Sequence, residues 1–332
     1  MRIAFFCDHS SQTLNFWSID NITKSVKETY PNIVIDKVNQ YTDSNILNTY
    51  DTVIFYRCLQ YHSSIISKLK QNNKKIGFAI DDLLWRDNQP YYNNGTASVI
   101  HNYFNMCDYK MIFSEMLNNY TDQSKYNLKL KCGLNIDYIN MIKPKVNKSY
   151  DKLKVLINKG HIDTTFVSYM NNMLDILDIN LNKNIEIILM SNNYNITKKY
   201  KNITFSVINQ QQDIFKYFKT ISDINPHVVL FPLNVTEFNN CKCPIKYIEA
   251  GALKSCIIAP GIIPYNKSVK VGNTGMICNE LPDYIASIVY ASNNIEEIIT
   301  MGLNAHNDIL ANYNMNINCK YFIDEIKLVL NR

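Results

Sequence analysis

Short runs of β-branched and aromatic residues alternate with helical patterns along most of this chain, and no other feature limits its possible folds as strongly. In the first half the runs are RIAFFC (2–7), NIVIDKV (32–38), TVIFYR (52–57), KIGFAI (75–80) and KMIFS (110–114). Helical stretches such as LNFWSIDNITKSVKETY and SSIISKLKQNN lie between them. Strands separated by helical crossovers predict a parallel sheet covered on both faces, hence an α/β architecture. The polar segment 139–152 carries Pro144 and precedes a fresh start of the same pattern. The new runs are LKVLIN (153–158), IEIILM (186–191), ITFSV (203–207), HVVLFPL (227–233), SCIIAP (255–260) and GMICN (275–279), and two helical segments close the chain at about 295–312 and 317–330. The expectation is two α/β domains of similar size, 1–148 and 149–332, with the last helix able to pack back on the first. Ligands of such sheets sit at the carboxyl ends of strands, and a facing pair of domains makes a central cleft.

A chain of 332 residues with 46% hydrophobic content can bury two cores of ordinary size. The net charge of +5 suits anionic ligands, but no dense Lys/Arg run marks a nucleic-acid surface. Heavy use of Asn, Ile, Lys and Tyr reads as an AT-rich genome. Nine cysteines, odd in number and scattered through apolar runs, read as free thiols in a reducing cytosol. Cys241 and Cys243 form a CxC without a second pair or a nearby His, so no metal site is expected. The apolar run at the amino end is too short for a signal peptide, and no segment approaches the ~18 residues of a membrane span. A cytoplasmic chain follows, with peripheral membrane attachment left open.

The candidate chemistry lies at strand ends. In CKCPIKYIEAGALKSCIIAP (241–260), Lys246 and Glu249 are three apart near a helix start, with Pro244 opening the helix and Ile245, Ile248 and Leu253 forming its apolar stripe. Helix-start amides and a Lys favour a phosphate, while a Glu there needs hydroxyl donors; a phosphate carrying a hydroxylated sugar satisfies both. The plain alternative is a solvated i,i+3 pair. The preceding loop, NVTEFNNCKCP, can wrap a ligand with Glu237 and Asn239. Lys159 and Gly160 follow the strand LKVLIN, where a close backbone approach to a phosphate and an ordinary turn are both open. In the first half, Asp81 and Asp82 stand at the carboxyl end of KIGFAI. They read as a helix cap or as a carboxylate taking a proton from an attacking hydroxyl. His9, after the first strand, is a second candidate beside the reading of a solvated loop histidine.

These segments resemble, in order and spacing, two-domain GT-B glycosyltransferases of the broad group that includes bacterial glycosyltransferase family 4. IDDLLW, followed by Pro90, resembles a segment at a first-domain strand end, and KCGLNID (131–137) resembles the PNGVD-like turn that closes that domain. LFPLNVTEFNNCKCPIKYIEAGALKSCIIAPGIIPY is similar to the donor-site strand, loop and helix, and GNTGMIC to the GxxGxL-like strand after it. The resemblance runs from about residue 75 onward and is patchy before that. It implies two Rossmann-like domains facing a central cleft. It also implies a glutamate at Glu249 accepting from the donor ribose, and a basic residue at Lys246 near the donor phosphates. Two positions depart from it: Cys241 stands where retaining members often carry a second Glu, and CDHSSQT replaces the usual glycine-rich loop. The bacteriophage DNA β-glucosyltransferase type, which inverts, shares an Asp at a similar strand end and a basic-x-x-Glu helix.

The resulting expectation is an enzyme that moves a sugar from a nucleotide diphosphate sugar, UDP-sugar favoured, to a hydroxyl on a carbohydrate or a lipid- or protein-linked glycan. The setting would be polysaccharide or glycoprotein assembly in an AT-rich microbe or a virus. Such folds usually need neither metal nor further cofactor, since helix amides and basic side chains neutralise the leaving diphosphate. Asp81 and Asp82 would serve the acceptor; Lys159, Gly160, Lys246, Glu249, Glu237 and Asn239 would hold the donor. The alternatives are transfer to a modified DNA base and a non-catalytic subunit that only binds the nucleotide sugar.

Overall fold

Twelve parallel strands form two six-stranded sheets in the computed structural model, which describes the chain apart from residues 8–14, 59, 88, 90–92, 145, 160, 161, 193 and 195–197. His9, Pro90 and Gly160 lie outside the described residues. The first sheet holds β1 (Arg2–Phe6), β2 (Val34–Val38), β3 (Thr52–Tyr56), β4 (Lys75–Ile80), β5 (Tyr109–Ile112) and β6 (Tyr126–Lys129), ordered β2-β1-β3-β4-β5-β6. The second holds β7 (Lys154–Asn158), β8 (Ile185–Met190), β9 (Ile203–Ile208), β10 (Val228–Leu230), β11 (Cys256–Pro260) and β12 (Gly275–Cys278), ordered β12-β11-β10-β7-β8-β9. Every expected strand is present. The twelfth, β6, is an edge strand of four residues, YNLK, in which polar side chains alternate with apolar ones, so no continuous apolar run announces it.

Strand order fixes where ligands can lie. Counted within its own half, the second sheet runs 3-2-1-4-5-6 and reverses between β7 and β10. In open α/β sheets the crevice for a ligand opens outside the carboxyl ends of the strands at that reversal. The first sheet reverses between β1 and β3. Central strands are largely buried because helices cover both faces; all five residues of β3 are buried.

The chain divides into one compact unit of residues 1–136, 236–243 and 313–332, and a second of residues 137–235 and 244–312. The division falls at 136/137 and not at 148/149. The helix Ile136–Ile142 accounts for the difference: its Tyr138 ring packs 6.1 Å and 6.2 Å from Phe215 and Phe218 of the second unit. The last helix, Met315–Leu330, belongs to the first unit, where Phe322 stacks on Phe5 at 5.9 Å and Cys319, Ile323 and Ile326 join its core. No helix among the described residues is long and apolar enough to cross a membrane.

In the second unit the helix Ile245–Ala252 lies close against the helix Ile295–Asn312. A Cβ on Gly251 would come within 2.7 Å of Ile309 and 3.0 Å of the Ala305 carbonyl, and one on Gly302 within 2.2 Å of the Lys254 carbonyl. The two glycines therefore allow the helices to approach, and the approach fixes the face that carries Lys246 and Glu249.

Candidate functional site

Two polar clusters stand at strand carboxyl ends, one in each unit. In the second, Asn158 ends β7, and its side-chain amide donates to the Tyr217 hydroxyl at 2.7 Å. That hydroxyl donates to Oε2 of Glu249 at 2.8 Å, and the Lys246 ammonium donates to the same oxygen at 2.6 Å and to Tyr217 at 3.2 Å. Both bonds to the carboxylate arrive at Oε2, and Oε1 has no donor among the described residues. The side chains of Lys246 and Glu249 are 18% and 4% exposed, so the solvated-pair alternative does not hold. Burial, and then the Glu249 carboxylate, push the Tyr217 phenol well above its ordinary range, which keeps it a donor at any working pH. Lys159 follows directly at the end of β7, its ammonium 5.0 Å from the Phe166 ring centre.

The first unit gathers charge around the expected aspartates. Arg57, the residue after β3, has φ +43° and sends one guanidinium nitrogen to Asp81 Oδ1 at 2.8 Å and Asp82 Oδ2 at 2.7 Å. Asp81 Oδ2 accepts from the Tyr56 hydroxyl at 2.8 Å and from Ser18 at 3.4 Å. The Lys242 ammonium reaches Asp82 Oδ1 at 3.3 Å. Burial pushes the Asp82 carboxyl up, but Lys242 and Arg57 outweigh it and hold the group below its usual value. For Arg57 burial is likewise outweighed, here by the two aspartates, and its affinity for the proton rises. Neither aspartate caps a helix: among the described residues the next one begins at Asn94 and is capped by Asn93. A non-glycine residue in left-handed backbone stores about 1–3 kcal/mol and persists where its surroundings hold it, as two carboxylates do here.

Two of the other expected residues are carried by the first unit. The segment Thr236–Cys243 belongs to the first unit: Phe238 and Cys241 enter its core, and Ser114 donates to the Cys241 carbonyl at 2.6 Å. Glu237 accepts from Gln89 at 2.7 Å, lies 3.9 Å from Arg86, and by its hydrogen bond raises the Tyr120 phenol to about 12. Asn239 is on the same short helix, Glu237–Asn240, whose cap is Thr236. Glu237 and Asn239 thus belong to the first unit and Lys246 and Glu249 to the second, because apolar Phe238 and Cys241 join the first unit's core. The Cys241 thiol is fully buried and pushed up to about 12, chiefly by burial, which makes it a packing group and no substitute for a carboxylate.

Arg57, Tyr56, Lys242, Tyr217 and Asn158 were not singled out from sequence. Arg57 and Asn158 were within reach, since each is the polar residue that ends or follows an apolar strand, the criterion that selects Asp81. Tyr217 was not, because its spacing from Ile214, Phe218 and Ile221 is that of a core residue.

Two parallel sheets of these orders, each covered by helices, are the architecture of GT-B glycosyltransferases. A glycosyltransferase from Rickettsia africae matches with a TM-score of 0.67 at 10% identity, over 100% of this chain and 99% of that one. Sucrose-phosphate synthase from Thermosynechococcus elongatus matches at 0.66 and 10%, over 99% of both chains. HepE of Anabaena, solved in complex with UDP and glucose, matches at 0.66 and 10%, over 98% of this chain and 99% of its own. At such identities the likeness is one of fold. No family model and no curated protein matches the sequence.

Proposed function

We propose that the chain is a glycosyltransferase that moves a sugar from a nucleotide diphosphate sugar, UDP-sugar favoured, to a hydroxyl of a growing glycan. The observation that carries the reading is the Asn158–Tyr217–Glu249–Lys246 cluster of the second unit, in a chain of GT-B fold. Glu249 keeps Oε1 for the paired hydroxyls of a ribose, while Tyr217 and Lys246 hold Oε2 and fix the carboxylate in place. Lys246 and the first amides of its helix meet the diphosphate and stabilise the charge that develops on it as the sugar leaves. Glu237 and Asn239 fall to the acceptor side in this reading, with Asp81 and Asp82.

Incubation with UDP-sugars and a panel of glycan acceptors, read as UDP release with and without acceptor, tests the reading. Neither transfer nor hydrolysis of any nucleotide sugar would end it. Two substitutions probe the donor residues. Glu249→Gln should weaken nucleotide binding by about 1–3 kcal/mol, the scale of a hydrogen bond to a charged group, as measured by titration calorimetry. Lys246→Ala should weaken UDP far more than uridine, since only the former presents phosphates; equal losses would make the lysine structural.

A further inference from the structure

A cavity of about 450 Å³ lies in the second unit, lined by Lys143, Lys148, Lys254, Asn225, Tyr150 and Ile299 among others. It adjoins the residues just before β7, β10 and β11, so it opens at the amino ends of strands whose carboxyl ends carry Asn158. It is therefore separate from the Glu249 cluster. Three lysines line it and, among the described residues, no carboxylate does. The Lys148 ammonium donates to Asn225 Oδ1 at 3.0 Å, to Ser255 Oγ at 3.2 Å and to the Pro226 carbonyl, all of them neutral. The ammonium groups of Lys143 and Lys254 have no hydrogen bond or ion pair among the described residues. Lys254 also sits at φ +52°, in left-handed backbone that disfavours any side chain. Burial pushes Lys148 down to about 7, with Lys154 and Lys254 adding to the shift, as expected where positive charge lacks a counterion. The lining also includes the apolar side chains Ile299, Leu303 and Val146, the last 69% exposed.

We propose that this cavity is a second anion site, taking a phosphate monoester whose apolar substituent lies along Val146, Ile299 and Leu303. A monoester carries about −1.5 to −2 charges at neutral pH and three acceptor oxygens, which answers the ammonium groups of Lys143 and Lys254 better than a singly charged carboxylate. The size fits a small ligand, for which pockets run from roughly 300 to 1,000 Å³. The same chemistry is offered by a soluble phosphate ester and by a phosphatidic acid headgroup.

Titration calorimetry with phenyl phosphate provides the test, on the wild-type chain, on Lys246→Ala and on the double variant Lys143→Gln/Lys254→Gln. One site is expected that survives Lys246→Ala and weakens about tenfold or more in the double variant, a scale set by losing two charged donors. Absence of binding, equal affinity in the double variant, or loss in Lys246→Ala alone would overturn the proposal. Lys148 stays untouched because its three bonds hold the loop before β7. Sedimentation with phosphatidylcholine vesicles, with and without phosphatidic acid, separates the sources. Retention that phenyl phosphate competes away assigns the headgroup; calorimetric binding without retention assigns the soluble ester.

Discussion

Asp81→Asn should lower the turnover of sugar transfer by about 10²–10⁴-fold, the usual contribution of a positioned base, while leaving donor affinity nearly intact. An attacking hydroxyl must lose its proton as its bond to the sugar forms, and Asp81 stands at the end of β4 with its side chain oriented by Tyr56, Ser18 and Arg57. Among the described residues, Asp82 carries two cationic partners where Asp81 carries one, Arg57. Lys242 and Arg57 occupy both its oxygens and keep its carboxyl below the usual range, so it holds a transferred proton weakly. Asp82→Asn should accordingly cost less turnover than Asp81→Asn. Asparagine keeps the shape of the side chain and one acceptor oxygen, so the loss is chemical and not a matter of packing. Steady-state kinetics with donor affinity and circular dichroism on each variant decide the matter. Full transfer activity in Asp81→Asn would remove the carboxylate from the mechanism.

Arg57→Ala should destabilise the fold by about 3 kcal/mol, the lower end for a buried ion pair stripped of one partner. The side chains of Arg57, Asp81 and Asp82 are 14%, 19% and 21% exposed, and removing the guanidinium leaves two adjacent carboxylates to repel each other. Arg57→Gly should be milder by about 1 kcal/mol, because glycine adopts φ +43° without the steric cost that a Cβ brings. The deficit depends on pH with a definite sign. Asp82 has its folded pKa below the unfolded value near ~3.9, so its contribution is complete above that pH and disappears as pH falls through the folded pKa. Urea unfolding should therefore show the gap between wild type and Arg57→Ala at neutral pH and show it closing below about pH 4. A gap unchanged at low pH would mean that Arg57 stabilises by packing alone.

The Asp81 cluster and the Glu249 cluster differ in how far the sequence announces them. Lys246 and Glu249 are local: three residues apart on one helix, they share a face whatever the rest of the chain does. Asp81 and Asp82 are local too, polar residues that end an apolar run. Their partners are not. Arg57 lies 24 and 25 residues from the two aspartates, Lys242 lies 160 from Asp82, and Tyr217 lies 32 from Glu249. Arg57 arrives by strand pairing, Tyr217 from the helix Ile214–Ile224 and Lys242 from the segment after Glu237–Asn240, and a sequence pattern records spacing along the chain, not across a fold.

The sequence by itself determined the α/β class, the strands other than β6, the two-part organisation and the strand ends worth searching, because periodicity and strand-terminal polarity are properties of short segments. Tertiary structure decided which residues meet. It assigned Thr236–Cys243 and the last helix to the first unit, and moved the division to 136/137. It also turned a plain aspartate pair into one clamped by Arg57 and Lys242, and gathered Lys143, Lys148 and Lys254 around one cavity. The physical reason is common to all of these. Burial of Phe238, Cys241 and Phe322, and the pairing of strands far apart in the chain, are settled by the packed core as a whole, and no local stretch carries that information.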